Sequence, residues 1–451
     1  MVKKIKEVLH ITPHLGGGVG KALSGILEYE KNNNSSLKHK VILLEKPENY
    51  QFVDICINNG IEVIIITDCD IKDEIEKTDV VIYHWWHHPL GAALLANFPN
   101  TKTRMILWSH INGCTYPMLP FELVKSVNKA FFTSGYTLYN PYWSEDEQNY
   151  AQENACVIYG LGKLEDLPFE YSFKKSKENF VIGYVGTLNF SKLNPDFVEY
   201  CNEVVKLIPQ AKFVMVGNPD GKAKILEDAR KIGIEDKFEF IGYTNNVNEE
   251  LCKFDVFGYP LNNWHFGTTE NVILEAINAT VPVVALNQCS ERYLIKHNKT
   301  GFLANDKEHY ARIMKKLFDN LGQRIRISSN AKTMLKDEFF MQKNIKNMRK
   351  ALTEVLEQEK KVFDFSAIFG AEPYQWFLSC LGEDREIFEQ SLKELTPEVE
   401  EKIRNCREIL KENSKSSVKH FLKYFGNDKH LQYWDKIIKD NMRKEISKCT
   451  I

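Results

Sequence analysis

Short apolar runs alternate with helical patterns along most of the chain. KEVLHITP, KVILLE, IEVIII and DVVIYHW are nearly continuous apolar runs rich in β-branched residues, and the segments between them have helical spacing. Runs of this kind are typical of parallel strands that are buried on both faces. Their alternation with helices predicts an α/β fold built on doubly wound parallel sheets.

The pattern is interrupted once and then begins again. The segment GKLEDLPFEYSFKKSKEN is polar and aperiodic, which predicts a linker over residues 162–178. FVIGYVGTL, KFVMVG, FEFIGY, DVFGYPL, VPVVAL and GFLAND then predict a second sheet, and the tail has only helical spacing. We therefore predict one Rossmann-like domain at 1–165, a second at 179–355, and an all-helical extension at 356–451. We expect the two sheet domains to face each other across a cleft.

The composition is that of a folded protein. Hydrophobic residues make up 43% of the 451 residues and charged residues 27%, and the net charge is −2. These values argue against disorder and against a basic nucleic-acid-binding protein. The ten cysteines form no CxxC pair, so no zinc or redox motif is indicated. The N-terminal apolar run is too short for a signal peptide or a membrane span, and we expect a cytoplasmic protein.

A glycine-rich segment, HLGGGVGKAL, follows the first predicted strand. Backbone N–H groups at Gly17 and Gly18 can approach a ligand closely there, and a helix N-terminus favours an anion. The segment is neither a Walker A loop nor a dinucleotide-binding fingerprint. A tight turn that needs positive φ is the alternative explanation for these glycines.

A lysine, Lys192, follows the first strand of the second predicted domain, in VGTLNFSKLNPDF. Open α/β sheets bind their ligands at this end of a strand. An ammonium group there suits a diphosphate, because it supplies a point charge with three donors. A solvated surface lysine is the alternative interpretation.

Two glutamates lie close together in FGTTENVILEA. Thr268 and Thr269 are suitable helix N-caps, and the helix they predict would aim free N–H groups at a second anion site. On one helix, Glu270 and Glu275 would be separated by about 140°, so they are not predicted to act as a paired acid and base. For Glu270, a favourable charge at the helix N-terminus is the structural alternative.

Together, these segments resemble the retaining glycosyltransferases of family 4, which have the GT-B fold of two Rossmann-like domains. The resemblance is carried by HLGGGVG, WSHING, GYVGTLNFSK, FVMVGNPDG, FEFIGYT, FGTTENVILEAINATVPVVAL and TGFLAND, in the order and spacing of that family. It extends over roughly residues 6–350 and leaves the helical tail outside.

The resemblance implies roles for individual residues. It implies that His110 lies near the transferred sugar, that Lys192 binds the donor diphosphate, and that Glu275 holds the ribose hydroxyls. It also implies that Gly17 and Gly18 lie against the diphosphate and the acceptor. The remaining donor-binding positions are Thr187, Gly242, Tyr243, Thr244, Gly267, Thr268, Thr269, Glu270 and Asn271.

Two positions depart from the pattern of the family. Thr187 replaces the arginine of the family's basic pair on the diphosphate, and Gly267 replaces the first of its two glutamates. Glu270 is the nearest acid, three residues later. We expect a local shift of the loop to bring Glu270 to the donor sugar; the alternative is that this contact is lost. The predicted catalytic residues are thus His110, Lys192 and Glu270.

The predicted activity is retaining transfer of a sugar from a UDP- or GDP-linked donor to a hydroxyl of a glycan, lipid-linked or protein acceptor, as in polysaccharide biosynthesis. No metal or cofactor is expected, and the histidines of YHWWHHPL are interpreted as an acceptor-lining patch or as core packing. The alternatives are a GT-B-fold epimerase or phosphorylase, and a catalytically impaired homologue acting as a binding subunit. The tail leaves peripheral membrane contact and oligomerisation open.

Overall fold

The fold is described from a computed structural model of the chain. The described residues are 6–33, 35–162, 164, 179–190, 192–263, 265–411 and 415–448. Nearly all of the linker predicted over residues 162–178 lies outside them.

The elements have the following bounds. The strands are β1 Lys6–Thr12, β2 Leu37–Leu43, β3 Glu62–Ile65, β4 Val80–Trp85, β5 Lys102–Thr103, β6 Met105–Ser109, β7 Lys129–Phe132, β8 Ala155–Val157, β9 Phe180–Val185, β10 Ala211–Val216, β11 Phe238–Gly242, β12 Val256–Tyr259, β13 Val283–Leu286, β14 Phe302–Ala304 and β15 Lys361–Val362. The helices are α1 Gly17–Asn32, α2 Gln51–Asn58, α3 Ile71–Glu76, α4 Pro89–Ala96, α5 Phe121–Ser126, α6 Glu145–Asn154, α7 Phe197–Leu207, α8 Lys222–Lys231, α9 Val247–Leu251, α10 Asn271–Asn278, α11 Glu291–Leu294, α12 Lys307–Asp319, α13 Leu321–Met334, α14 Met341–Leu356, α15 Ser366–Phe369, α16 Pro373–Leu378, α17 Arg385–Lys393, α18 Pro397–Arg404, α19 Glu408–Lys411, α20 Val418–Tyr424 and α21 Lys429–Lys448.

The chain divides into two compact units. The first unit combines Met1–Thr133, Thr137–Ile158 and Asn347–Ile451, and the second combines Ser134–Tyr136 and Tyr159–Lys346. The helices of the predicted C-terminal extension therefore belong to the first unit.

The first unit contains a seven-stranded sheet with the order β3-β2-β1-β4-β6-β7-β8, and all its neighbouring strands are parallel. Its central strands are almost fully buried, as expected from their continuous apolar runs. After β1 the chain adds β2 and β3 on one side, and it then returns to place β4 on the other side of β1. The loops that follow β1 and β4 therefore lie at the point of the sheet where ligands usually bind.

The second unit contains a six-stranded parallel sheet with the order β11-β10-β9-β12-β13-β14. Here β10 and β11 lie on one side of β9, and β12, β13 and β14 lie on the other. The direction of winding therefore changes between β9 and β12. Gly183 in β9 allows close packing, since a Cβ at this position would lie 2.0 Å from the ring of Phe254. The prediction of two doubly wound parallel sheets is confirmed.

Within the first unit, the helical tail is joined to the loop that follows β4 by hydrogen bonds and by ring contacts. The Nε2 atom of His87 lies 3.0 Å from the carbonyl oxygen of Trp376, and the Ser416 hydroxyl donates to the carbonyl oxygen of His87 (3.0 Å). The ring of Phe421 packs on His87 and on Phe377. The tail therefore shares a hydrophobic core with the loop that follows β4.

The tail differs from the all-helical prediction in one place. Lys361 and Val362 form β15, which pairs antiparallel with β5. The hydropathy pattern could not reveal this strand, because two exposed residues produce no periodicity. Among the described residues, no helix has both the length and the apolar character needed to cross a membrane.

Shortening the buried ring of Phe421 tests the assignment of the tail to the first unit. Because Phe421 is fully buried between the tail and the loop that follows β4, we expect Phe421→Ala to lower the free energy of unfolding by about 3–5 kcal/mol. Denaturant unfolding measures this change. Lys423→Ala, at an exposed ion pair with Glu48, should cost less than about 1 kcal/mol. Equal, small effects of the two changes would contradict the assignment.

Candidate functional site

The loops that follow β9 and β12 are joined to each other in the second unit. Leu193 and Leu261 form an isolated antiparallel bridge, and the N–H of Asn262 donates to the carbonyl oxygen of Lys192 (2.8 Å). Because β9 and β12 are adjacent and parallel, their loops leave the same edge of the sheet. This arrangement brings Lys192 and Glu270 into contact.

The carboxylate of Glu270 is buried, and it contacts one ammonium group and one hydroxyl group. Its Oε2 atom lies 3.0 Å from Nζ of Lys192 and accepts a 2.8 Å hydrogen bond from the hydroxyl of Tyr259. Burial acts to raise the pKa of Glu270, but Lys192, His265 and Tyr259 outweigh burial and hold the pKa below its usual range. Glu270 is therefore an anion, held at the carboxyl end of the central strands.

A second carboxylate lies behind this pair. The Nε2 atom of His265 is 3.0 Å from Oε1 of Glu291, and its Nδ1 atom is 4.0 Å from Oε1 of Glu270. Burial acts to lower the pKa of His265, but the two carboxylates raise it above its usual value. The backbone N–H of Gly267 donates to Nδ1 of His265 (3.1 Å), so the ring presents its Nε2 proton to Glu291.

Gly267 leaves the space that the carboxylate of Glu270 fills. A Cβ atom at position 267 would lie 1.8 Å from Oε1 of Glu270 and 2.9 Å from Nδ1 of His265. The carboxylate of Glu270 therefore occupies the place where a side chain at position 267 would begin. A side chain at position 267 and the carboxylate of Glu270 therefore exclude each other from the same space.

The helix after this loop begins later than predicted. Glu270 is the N-cap of α10, without a capping bond from its side chain, so the predicted capping by Thr268 or Thr269 is wrong. The hydroxyl of Thr269 accepts a hydrogen bond from the N–H of Gly160 (3.1 Å), and the amide of Asn271 donates to the carbonyl oxygen of Gly160 (2.8 Å). The side chains of Thr269 and Asn271 thus bind the segment that follows β8. The hydroxyl of Thr269 is used in this contact and does not cap α10.

Glu275 lies in the second turn of α10 and is half-buried. Glu270 stands outside the helix, so the two glutamates do not form a pair on one helical face. Thr187 is exposed after β9, where its carbonyl oxygen accepts a hydrogen bond from the hydroxyl of Tyr184 (3.1 Å). Thr187 thus lies at the same edge of the sheet as Lys192, because both follow β9.

The segment proposed to meet the base follows β11. Gly242 ends this strand with a φ of +83°, which favours glycine, and its carbonyl oxygen accepts from the N–H of Gly217 (2.9 Å). Tyr243 is 77% exposed, and the hydroxyl of Thr244 accepts from the N–H of Asn246 (3.0 Å). An exposed ring beside a glycine backbone is available for contact with a ligand.

In the first unit, the glycine-rich loop opens α1. Gly17 has a φ of +57°, and both Gly17 and Gly18 are exposed. Apart from the chain neighbours and the backbone of α1 itself, no described atom lies within 4 Å of where a Cβ would stand at either position. The backbone at the start of this 16-residue helix is therefore accessible, as the glycine pattern predicted.

His110 is the end of a row of four histidines. Its Nε2 atom lies 2.8 Å from Nδ1 of His84, whose Nε2 atom lies 3.0 Å from Nδ1 of His10. The Nε2 atom of His10 in turn lies 3.0 Å from Nδ1 of His39. The four residues are on β2, on β1, on β4 and directly after β6, which are neighbours in the sheet. His84 therefore belongs to this row rather than to an acceptor-lining patch.

A cavity of about 390 Å³ lies beside the glycine-rich loop, and the tail helix α20 forms part of its wall. His14, Glu45 and His88 approach one another here closely enough to suggest a metal site. However, Nδ1 of His14 accepts from the N–H of Gly16 (2.9 Å), and Nδ1 of His88 accepts from the N–H of Leu90 (3.2 Å). In the neutral rings the proton is then on Nε2, so these residues do not fit a metal ion.

Residues 169–334, which include β9 to α13, match a model of one protein family. The family is the glycosyl transferases group 1. The chain is 25% identical over 218 residues to the capsular polysaccharide biosynthesis glycosyltransferase CapM of Staphylococcus aureus. This match covers 43% of this chain and 54% of CapM. It is also 23% identical over 251 residues to N-acetyl-alpha-D-glucosaminyl L-malate synthase of Bacillus anthracis. This second match covers 55% of this chain and 59% of the synthase. The chain thus spans little more than half the length of these relatives.

Solved structures share the fold over a larger part of the chain. HepE of Anabaena, crystallised with UDP and glucose, has a TM-score of 0.59 at 14% identity over 77% of this chain and 100% of HepE. TarM of S. aureus has a TM-score of 0.60 at 11% identity over 79% of this chain and 99% of TarM. Identities this low show the fold alone. The predicted GT-B class is confirmed.

Several residues around Glu270 were missed by the sequence analysis. Tyr259, His265 and Glu291 contact Glu270 or support it. Only Tyr259 carried a signal, as a polar aromatic residue at the end of a buried strand. Likewise, a histidine in each of KHKVI, LHIT, YHW and SHIN was the signal for the row that contains His110.

Adding a methyl group at Gly267 tests the steric relation with Glu270. We expect Gly267→Ala to lower the free energy of unfolding by about 1–3 kcal/mol, because the Cβ forces the Glu270 carboxylate away from Lys192 and Tyr259. In a Glu270→Ala background the same change should cost much less. Denaturant unfolding of the four proteins gives the coupling energy. Additive effects would show that the two positions do not compete for space.

Proposed function

We propose that the chain is a retaining glycosyltransferase that transfers a hexose from a nucleotide-diphosphate sugar to an acceptor hydroxyl. The observation that carries this proposal is the Lys192–Glu270 pair at the carboxyl end of β9 and β12. It lies within the segment that matches the glycosyl transferases group 1. A cation and an anion at this edge of a parallel sheet can serve the diphosphate and the sugar hydroxyls of one donor.

The proposed chemistry depends on stabilising the leaving group. The bond from the anomeric carbon to the diphosphate oxygen breaks, and negative charge develops on that oxygen. We assign Lys192 to the stabilisation of this charge. The acceptor hydroxyl attacks the same face, and the leaving oxygen takes its proton. This route uses no protein nucleophile and no metal ion.

We assign to Glu270 the role of the first glutamate of the family. The support is steric, because the Glu270 carboxylate stands where a side chain at Gly267 would begin. When a donor diphosphate draws Lys192 away, the carboxylate is free to accept hydrogen bonds from sugar hydroxyls. Glu275, one turn further along α10, is assigned to the ribose hydroxyls, and Gly242 to Thr244 to the base.

The related proteins guide the choice of substrates. HepE was crystallised with UDP and glucose, and CapM is named for capsular polysaccharide biosynthesis. We therefore propose a UDP-linked donor first and a GDP-linked donor second, with a glycan, lipid-linked or protein hydroxyl as acceptor. Cytoplasmic location, peripheral membrane contact and oligomerisation through the tail stay predictions.

A donor turnover assay tests the proposed function. The purified full-length protein is incubated with a panel of UDP- and GDP-sugars, and the released nucleoside diphosphate is measured. Lys192→Ala should lower kcat by about 100–1,000-fold, because one stabilising charge on the leaving group is lost. Glu275→Ala should raise KM for the donor. Lys206→Ala, which removes an exposed lysine paired with Glu203, serves as the matched control.

The alternative of a binding subunit predicts a different result from the same assay. Thr187 in place of the family's arginine and Gly267 in place of its first glutamate are the features that keep this alternative open. A protein that binds UDP or GDP in calorimetry but turns over no sugar donor, with or without acceptor glycans, would refute the transferase and support the binding subunit.

Exchanging the two positions tests the role of Glu270. Glu270→Gly alone should lower kcat/KM by about 10- to 100-fold, as expected for a lost hydrogen bond to a charged group. Gly267→Glu combined with Glu270→Gly should restore most of this loss, because the carboxylate returns to the same space from another backbone position. A double variant that is folded and as slow as Glu270→Gly would overturn the assignment.

A further inference from the structure

The four-histidine row, formed by His39, His10, His84 and His110, crosses the first sheet on a regular diagonal. His39 pairs with Val8, two residues before His10. His10 pairs with Ile82, two residues before His84, and His84 pairs with Trp108, two residues before His110. Each step therefore crosses one strand and advances two residues, which keeps all four side chains on one face. The row leads from the interior of β2 to the carboxyl edge of the sheet.

The four rings are neutral, so each carries one proton. Burial lowers the pKa of His39 to about 4 and that of His110 to about 3, and it also lowers the pKa values of His10 and His84. Three hydrogen bonds join the four rings. Three protons are needed for these bonds, and the fourth must lie at one end of the row.

Only two arrangements form all three bonds. In the first, every ring is protonated on Nε2, the end proton lies on His39, and Nδ1 of His110 is an acceptor. In the second, every ring is protonated on Nδ1, so that His110 presents a donor. Any mixed arrangement places two N–H groups or two lone pairs against each other inside the sheet. The four rings therefore adopt one tautomer together.

The surroundings of His39 select the first arrangement. Its Nε2 atom is buried and has no hydrogen-bond partner among the described residues, so the nearby charges, rather than a hydrogen bond, decide between the two arrangements. His39 and the carboxylate of Glu30 line the same cavity, of about 290 Å³. Glu30 is held by two hydrogen bonds from Arg349, at 2.8 and 2.9 Å. Glu30 acts to raise the pKa of His39 more strongly than Arg349 acts to lower it, so the pair favours the proton at the His39 end of the row.

We propose that His39, His10 and His84 are positioning residues that hold His110 in the Nε2-protonated tautomer, with Nδ1 as a hydrogen-bond acceptor. The Nε2 atom of His110 is used by His84, so Nδ1 is the ring nitrogen outside the row. It accepts from a hydroxyl of the sugar substrate, and this part of the inference rests on the proposed function. A tautomer fixed before binding avoids the cost of reorganising the ring when substrate arrives.

The tautomer is measured directly on the full-length protein. Long-range ¹H–¹⁵N spectra of protein labelled with ¹⁵N-histidine at neutral pH distinguish protonated from bare ring nitrogens, and the His110→Gln variant assigns the His110 signals. We expect His110 to carry its proton on Nε2. A proton on Nδ1 of His110, or a mixture of both forms in comparable amounts, would refute the proposal.

Removing the far end of the row tests the coupling. In His39→Leu, Glu30 no longer acts on a ring of the row, and the share of His110 with its proton on Nδ1 should rise at least several-fold. His87→Leu is the matched control, because His87 is buried in the same unit and lies outside the row. An unchanged His110 spectrum in folded His39→Leu would overturn the coupling.

A second variant covers the case in which His39→Leu does not fold. Glu30→Gln keeps the shape of the side chain and removes the charge, and it should shift the same His110 signals in the same direction. An unshifted spectrum would contradict the role of Glu30 in selecting the tautomer. Because these spectra need no substrate, a protein without transferase activity can still show the fixed tautomer, so failure of the proposed function and failure of this inference are distinguishable.

Discussion

The buried negative charge of Glu270 is the constraint around which the loops of the second unit are arranged. A carboxylate with 5% exposure is stable only when other groups compensate for the lost water. Lys192 comes from the loop after β9, and Tyr259 comes from the end of β12. The charge therefore adds an ion pair to the Leu193–Leu261 bridge and to the backbone and side-chain hydrogen bonds that join the two loops. A ligand that competes for Lys192 changes this balance, so binding and loop geometry are coupled through one ion pair.

Much of the fold could be predicted because buried parallel strands leave a strong pattern. β4 and β12, for example, are continuous apolar runs that end in aromatic residues. The pattern failed where structure depends on distant partners. β15 exists only because β5 offers an edge to it, and the caps expected at Thr268 and Thr269 were lost because Gly160 competes for the hydroxyl of Thr269. Local sequence carries no information on such partners.

The candidate site was likewise predictable from local sequence in some parts and not in others. Motif order was enough to select Lys192 and to expect Glu270 near the place of the missing glutamate. The steric link to Gly267, the support from His265 and Glu291, and the row behind His110 required coordinates, because each joins residues from different strands or loops. The tail shows the same limit. Its helices were visible in the sequence, whereas their shared core with His87 depends on a contact across 289 residues of chain.

The diagonal of histidines also has a consequence for assembly of the first sheet. Because side chains alternate between the faces of a strand, a slip of one residue in any of the three strand pairings would turn a histidine to the opposite face and open the row. The rings on either side of the break would then be buried with unpaired nitrogens, at a cost that apolar neighbours in the same strands cannot impose. Among the Val, Ile and Leu side chains of these strands, the row acts as a register mark. It distinguishes the native alignment of β2, β1, β4 and β6 from alignments of similar hydrophobicity.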